Sequence, residues 1–233
     1  MWSGPRNIST ALLRSFSNRT DTSVYDEPFY AYYLHETGLD HPMRDEILNN
    51  YSYNEKQVIK EILKNKNKIY YQKHMTHHIL DKTNILWIND GINCFLIRDP
   101  AKVINSYVKK NKLENIKDIG FIQQYKIFNY VKDNISSDVI VINSDYLLKD
   151  PENYLKKLCA KLKINFSSKM LNWPKGKTND FGLWYPHWYE DIINSTTFKK
   201  FTKYNEKVED KYINIYFESL KIYKDMNKYS IRL

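Results

Sequence analysis

The chain has 233 residues, 42% of them hydrophobic and 15% aromatic, with a formal net charge of +9. That length suits one α/β domain, 1–233, or a core domain with helical additions, and the apolar content excludes a disordered chain. The basic balance favours an anionic partner, but the excess is nearly all Lys scattered among Asn, Ile and Tyr, so a nucleic-acid surface is discounted in favour of a small phosphorylated molecule.

In chain order, Trp2 to Thr10 (Trp-Ser-Gly-Pro-Arg-Asn-Ile-Ser-Thr) reads as a phosphate-cradling loop that breaks directly into a helix. Only Met1 and Trp2 precede Ser3, so the strand that should come before such a loop is either very short or the numbered chain starts late. Ser9 to Asn18 is the helix, with Leu12, Leu13 and Phe16 on one face. Thr22 to Tyr25 reads as a strand ending at Asp26-Glu27-Pro28. Helical segments follow, the clearest from Asn54 to Lys64. Ile69 to Gln72 is the next strand, ending in the polar cluster Lys73 to His78. Cys94 to Ile97 is apolar throughout, as a parallel strand buried on both faces should be. Helices are expected over Ala101 to Lys110 and Phe121 to Val131, and a strand over Val139 to Ile142. Pro151 opens a helix that runs to about Leu162.

The stretch 166–197 is irregular and rich in Trp, Pro and Gly, and a long loop of that kind inside a compact domain is usually functional. A final helix is expected over 206–226, with Val208, Tyr212, Tyr216, Leu220 and Tyr223 on one stripe. Strands alternating with helices make the fold class α/β, a central parallel sheet flanked by helices, with ligands bound beyond the carboxyl ends of the strands. Arg6, Glu27, Lys73 with His74, and Arg98 all fall at such ends. No stretch approaches the roughly 18 apolar residues of a membrane span, and the start has no signal-peptide pattern. Cys94 and Cys159 lack metal spacing and read as buried thiols, so a cytoplasmic location is expected.

Two segments carry chemistry. In the first, Gly4 and Pro5 shape a turn, Arg6 supplies a fixed positive charge, and Ser9 and Thr10 bring hydroxyls to a helix N-terminus that favours anions. It is not a Walker A loop, because Gly-Lys-Ser/Thr is missing. Its plain alternative is an ordinary N-capped helix. In the second, Arg98-Asp-Pro opens a helix that carries Ser106 two turns on, placing a guanidinium and a hydroxyl where they can meet one anion. Its plain alternative is a surface salt bridge at a helix start. Only six arginines occur in the chain, so where they fall is informative.

Together these segments resemble the sulfotransferase superfamily, whose members carry a sulfuryl group from 3′-phosphoadenosine 5′-phosphosulfate (PAPS) to an acceptor. Pro5-Arg6-Asn7-Ile8-Ser9-Thr10 is similar to the family's 5′-phosphosulfate loop, with Asn7-Ile8 in place of Ser-Gly, and Arg98 and Ser106 to its 3′-phosphate motif. The resemblance covers residues 2–28 and 94–107 sharply and the rest diffusely. The family's glycine-rich C-terminal motif has at best a distant counterpart in Asp180 to Trp184. The resemblance implies a P-loop-type sheet, PAPS as donor, no metal, and in-line transfer to a hydroxyl or amine of a small acceptor. Pro5, Arg6, Asn7, Ile8, Ser9, Thr10, Arg98 and Ser106 would hold the donor, and Arg6 would also neutralise charge in the transition state.

A base is needed for the acceptor proton, and two candidates stand open. Glu27 is the first, with an ion pair to Arg6 or Arg14 as its alternative role. His74 is the second, with Lys73 adding charge near the sulfuryl group. A zinc site from His74, His77 and His78 is a weaker rival, because no Glu or Cys completes the set. Trp184, Tyr185, His187 and Trp188 are candidates for an aromatic acceptor pocket. The residue pattern names neither the acceptor nor an oligomeric state. The competing readings are a P-loop kinase or other phosphotransferase, and a non-catalytic nucleotide or nucleic-acid binder.

Overall fold

The structure is a computed structural model that describes residues 1–64, 68–203 and 207–233. Its elements in chain order are β1 (Trp2–Ser3), α1 (Ser9–Ser17), β2 (Thr22–Asp26), α2 (Tyr30–Thr37), α3 (Arg44–Asn50), α4 (Glu55–Lys64), β3 (Ile69–Met75), β4 (Cys94–Ile97), α5 (Pro100–Tyr107), α6 (Phe121–Asn134), β5 (Ile140–Asn143), α7 (Ser144–Lys149), α8 (Pro151–Lys161), α9 (Tyr185–Trp188), α10 (Glu190–Ile193) and α11 (Ile213–Asn227). The five strands form one sheet in the order β2-β3-β1-β4-β5, and every pairing is parallel. The α/β class expected from the sequence is therefore the observed one. The strand before the first loop, Trp2–Ser3, lies at the centre of the sheet, with Trp2 opposite both His74 and Phe95.

Strand alternation explains the two-sided core. Leu96, Ile140 and Ile142 face one way and join Leu12, Leu13 and Phe16 of α1 and Leu155 and Leu158 of α8. Trp2, Phe95, Ile97 and Val141 face the other way and join Val103 of α5, Phe128 of α6 and Met226 of α11. Successive residues of a strand point to opposite faces, so a sheet covered on both sides needs unbroken apolar strands, and β4 is buried at all four positions.

Several expected boundaries move. β3 runs on through Lys73, His74 and Met75, so these residues belong to the strand and not to a loop beyond it. α7 was not expected; the Asn143 side chain caps it by accepting from the Asp145 N–H. The expected start of the last helix at Glu206 lies outside the described residues. The helix itself begins at Ile213, after a short 3₁₀ turn. Its buried seam is Ser219, Ile222 and Met226, one residue round from the expected tyrosine stripe, whose Tyr212, Tyr216 and Tyr223 pack partly buried beside it. Cys94 and Cys159 are free and buried.

Two glycines fix how closely the first loop lies against its neighbours. A Cβ on Gly4 would stand 2.4 Å from the Ile119 carbonyl oxygen, and Gly120, at φ 72°, lies against the Gly4 Cα. The loop is thereby pressed onto the turn before α6.

Candidate active site

The loop after β1 is held in an unusual backbone conformation. Arg6 and Ile8 have φ of 64° and 63°, a region that β-branched and bulky residues avoid. No side chain caps α1, whose N-cap is Ile8 itself. Ser9 and Thr10, its first two residues, line a cavity, which sets the positive end of the helix dipole beside it. Pro5, Arg6, Ile8, Ser9 and Thr10 line that cavity, whose volume is about 430 Å3. Asn7 is buried beneath the loop and does not line it.

The second segment meets the first through Arg6. The Arg6 Nε donates to Ser106 Oγ at 2.8 Å, and Arg98 Nη1 donates to the Arg6 carbonyl oxygen at 2.6 Å. Arg98 and Ser106 both line the same cavity. Asp99 is a helix cap, not a salt-bridge partner. Its side chain accepts from the Ala101 N–H at 2.8 Å, and Pro100 follows in the first turn of α5. Arg14 and Arg19 serve the fold: Arg14 donates to the Pro174 carbonyl and Arg19 to Asp21 and the Asn165 carbonyl.

Across the cavity, the ends of β2 and β3 build a buried charge cluster. The register places Asp26 opposite Lys73. Lys73 Nζ donates to Asp26 Oδ1 at 3.0 Å, to Tyr189 Oη at 2.8 Å and to Glu27 Oε1. All three ammonium hydrogens are thus engaged within the protein, and Lys73 holds Glu27 instead of reaching into the cavity with a free charge. The Tyr189 hydroxyl also accepts from Trp184 Nε1 at 3.0 Å and donates to Asp26 Oδ2 at 2.7 Å. The Gly182 N–H gives Asp26 a further bond at 3.2 Å. Glu27 itself sits at φ 46° and its N–H donates to the Lys73 carbonyl. Its partner is Lys73, in place of the ion pair with Arg6 or Arg14 that the sequence left open.

Burial pushes the Glu27 carboxyl above its ordinary value, against the pull of Lys73 and with added push from Asp26. Burial alone would pull the Lys73 ammonium down, but the two carboxylates outweigh it and hold it above its ordinary value. Burial, reinforced by Asp26 and Glu27, keeps the Tyr189 phenol protonated.

The histidines separate. Strand alternation turns Lys73 and Met75 to the cavity and His74 to the opposite face, where it stacks on Trp2 with ring centroids 4.6 Å apart and bonds Gln72. Of the two base candidates, Glu27 lines the cavity and His74 does not. His77 and His78 do line it, in the turn after β3, so the three histidines of the zinc alternative are not assembled. Among the described residues no group of three or more His, Cys, Asp or Glu side chains is arranged to hold a metal ion.

The Trp-rich segment divides in the same way. Trp188 and Tyr189 line the cavity, whereas Trp184 is buried in the core and Tyr185 and His187 are not part of the lining. Asp180 to Trp184 does not line it either. Its contribution is the Gly182 and Trp184 hydrogen bonds to the charge cluster. Lys199, Lys200 and Thr202 do face the cavity and were passed over in the sequence, where they look like part of the general Lys bias. Asp26 and Tyr189 were missed too, and His78 was read only as a candidate zinc ligand. The adjacent acids Asp26-Glu27 at a strand end were the one available signal.

A family model described as a sulfotransferase domain matches residues 1–228. Two Arabidopsis thaliana proteins, named branched-chain-amino-acid aminotransferase-like protein 1 and 2, are 33% identical over 224 residues and 34% identical over 205. Those alignments cover 95% and 87% of this chain but only 40% and 36% of the relatives, so the chain spans well under half of their length. Among solved structures, the sulfotransferase domain from the curacin biosynthetic pathway aligns over 93% of this chain and 95% of its own, with TM-score 0.55 and 14% identity. The sulfotransferase domain from the Synechococcus PCC 7002 olefin synthase aligns over 96% and 92%, with TM-score 0.62 and 15% identity. At such identities the likeness is one of fold. No helix among the described residues is long and apolar enough to cross a membrane.

Proposed function

The chain belongs to the sulfotransferase domain family, and from that premise we propose that it moves a sulfuryl group from PAPS to a hydroxyl or amine of a small acceptor. The observation that carries this reading is Arg6. Its side chain reaches the Ser106 hydroxyl and its carbonyl receives Arg98, so both phosphate segments converge on one cavity. A donor with a 5′-phosphosulfate and a 3′-phosphate needs two such cationic ends.

In this reading Pro5 to Thr10 and the α1 N-terminus surround the phosphosulfate, with Asn7 bracing the loop from beneath. Arg98 and Ser106 take the 3′-phosphate, with Lys199 and Lys200 of the same lining adding positive charge to the cavity. Glu27 accepts the acceptor proton on Oε2 as the acceptor oxygen or nitrogen bonds to sulfur and the bond from sulfur to the nucleotide phosphate breaks. Its raised carboxyl makes it a better base than an exposed glutamate. Arg6 stabilises the charge that grows on the leaving phosphate, a task that protein cations perform here without a metal. Two buried free thiols fit a reducing compartment, and we place the protein in the cytoplasm, with neither nucleic acid nor membrane as partner.

Calorimetry with adenosine 3′,5′-bisphosphate and with AMP tests the reading. A charge-assisted contact to the extra phosphate is worth about 1.5–3 kcal/mol, so the bisphosphate should bind about 10- to 150-fold more tightly. Arg98→Ala should erase most of that preference. Equal affinity for the two nucleotides in the wild-type protein would overturn the assignment.

A further inference from the structure

Glu27 has two carboxylate oxygens in different situations. Oε1 receives Lys73 and lies 3.0 Å from the Tyr189 hydroxyl. On the Oε2 side stands His78, whose Nδ1 is 3.9 Å away. His78 is 2% exposed, lines the cavity, and its Nδ1 has no hydrogen-bond partner. Its ring packs against two tyrosines of α2. Tyr30 lies parallel to it at 4.7 Å and an interplanar angle of 0°, and Tyr33 stacks at 4.8 Å and 26°. A buried polar nitrogen left unanswered carries a desolvation cost, and at His78 the nearest charged acceptor is the Glu27 carboxylate.

We propose that His78 is a positioning residue for the base, its Nδ1–H holding one lone pair of Glu27 Oε2 so that the other faces the acceptor. The inference rests on the transfer reading above. A separation of 3.9 Å is too long for a hydrogen bond, but bonds within catalytic groups are often long in the free enzyme and tighten in the complex.

The groups facing this pair are consistent with a neutral donor. Asp26 comes from β2, Lys73 and, on the far face, His74 from β3, and Tyr30 and Tyr33 from α2. His41 precedes α3, His77 shares the turn, and Tyr189 comes from the loop after α9. Burial, with help from His77, His41 and Lys73, holds the His78 imidazole uncharged, so it gives a hydrogen bond without adding a second cation beside Lys73.

The test follows the Glu27 carboxyl by 13C NMR in protein labelled on glutamate, with the signal assigned by its loss in Glu27→Gln. Titrations are run with and without adenosine 3′,5′-bisphosphate. His78→Phe keeps a ring against the tyrosines but removes the N–H, and His78→Asn restores a donor near the Nδ1 position. A donor to the charged carboxylate lowers its midpoint. With nucleotide, His78→Phe should therefore raise the midpoint by about half a pH unit or more, and His78→Asn should bring it back toward wild type. An unchanged midpoint in a folded His78→Phe protein overturns the proposal. If that variant fails to fold, the 15N spectrum of the wild type decides. The Nδ1–H tautomer of His78 supports the proposal and the Nε2–H tautomer overturns it. Failure of the nucleotide-preference experiment would remove the transfer reading, whereas failure of these titrations would remove only the role of His78.

Discussion

At the scale of single residues, three that line the cavity hold left-handed backbone: Arg6, Ile8 and Glu27. Each such conformation costs about 1–3 kcal/mol and persists only where the surroundings enforce it. Here the enforcing contacts are the Arg98 bond to the Arg6 carbonyl and the Glu27 N–H bond to the Lys73 carbonyl. The strained loop aims side chains that an unstrained turn would point elsewhere. Glu27→Gln is nearly isosteric but cannot take a proton. Sulfuryl transfer should fall by about 10²- to 10⁴-fold, while calorimetric affinity for adenosine 3′,5′-bisphosphate stays as it was. A variant that retains full turnover would remove Glu27 from the chemistry. Arg6 and Arg98 were legible in the sequence because arginine is scarce in this chain and both follow strands. The fate of Lys73 was not legible. Asp26, Glu27 and Tyr189 lie 47, 46 and 116 residues away from it, and the β2–β3 register and the folding back of the segment after α9 bring them together.

At the scale of elements, the short polar end of one strand organises a distant loop. Tyr189 ties the segment after α9 to Asp26 and Lys73, and Trp184 completes the tie. Tyr189→Phe removes one oxygen and leaves buried donors on Lys73 and Trp184 unanswered. Stability in urea should drop by about 1–3 kcal/mol, and the tryptophan emission should shift as Trp184 loses its partner. A variant as stable as wild type would mean the loop is held by apolar packing alone. The apolar strands were easy to read, with Cys94 to Ile97 found at its observed ends, because burial on both faces leaves an unmistakable run. β3 was cut short because Lys73 and His74 look like loop residues until their partners are known. α7 was missed because six residues carry too little periodicity to be seen.

At the scale of the whole molecule, the two-sided core traps ionisable rings. His74 and His78 are 3% and 2% exposed, and burial holds both well below their ordinary value, as it holds His77 at about 3. In the unfolded chain these imidazoles take up protons as pH falls through about 6.5, whereas in the folded chain they stay neutral. Their contribution to stability is thus complete above that pH and is lost as pH falls below it. For His77, held at about 3, the loss between pH 7 and pH 5 comes to about 2 kcal/mol, and His74 and His78 add to it in the same direction. Urea midpoints at the two pH values should show it, and a midpoint that stays flat would mean that the imidazoles are hydrated and charged in the folded state.

Because Arg98 grips a main-chain oxygen of residue 6 while the side chain of residue 6 grips Ser106, the two ends of the proposed donor seat are mechanically one piece. Shortening the arginine at 6 leaves the clasp from 98 in place, but changing 98 slackens the loop as well as stripping a charge. Retargeting the protein to a different donor would therefore demand coordinated changes at 6, 98 and 106, and libraries that vary these positions one at a time would mostly return inactive proteins.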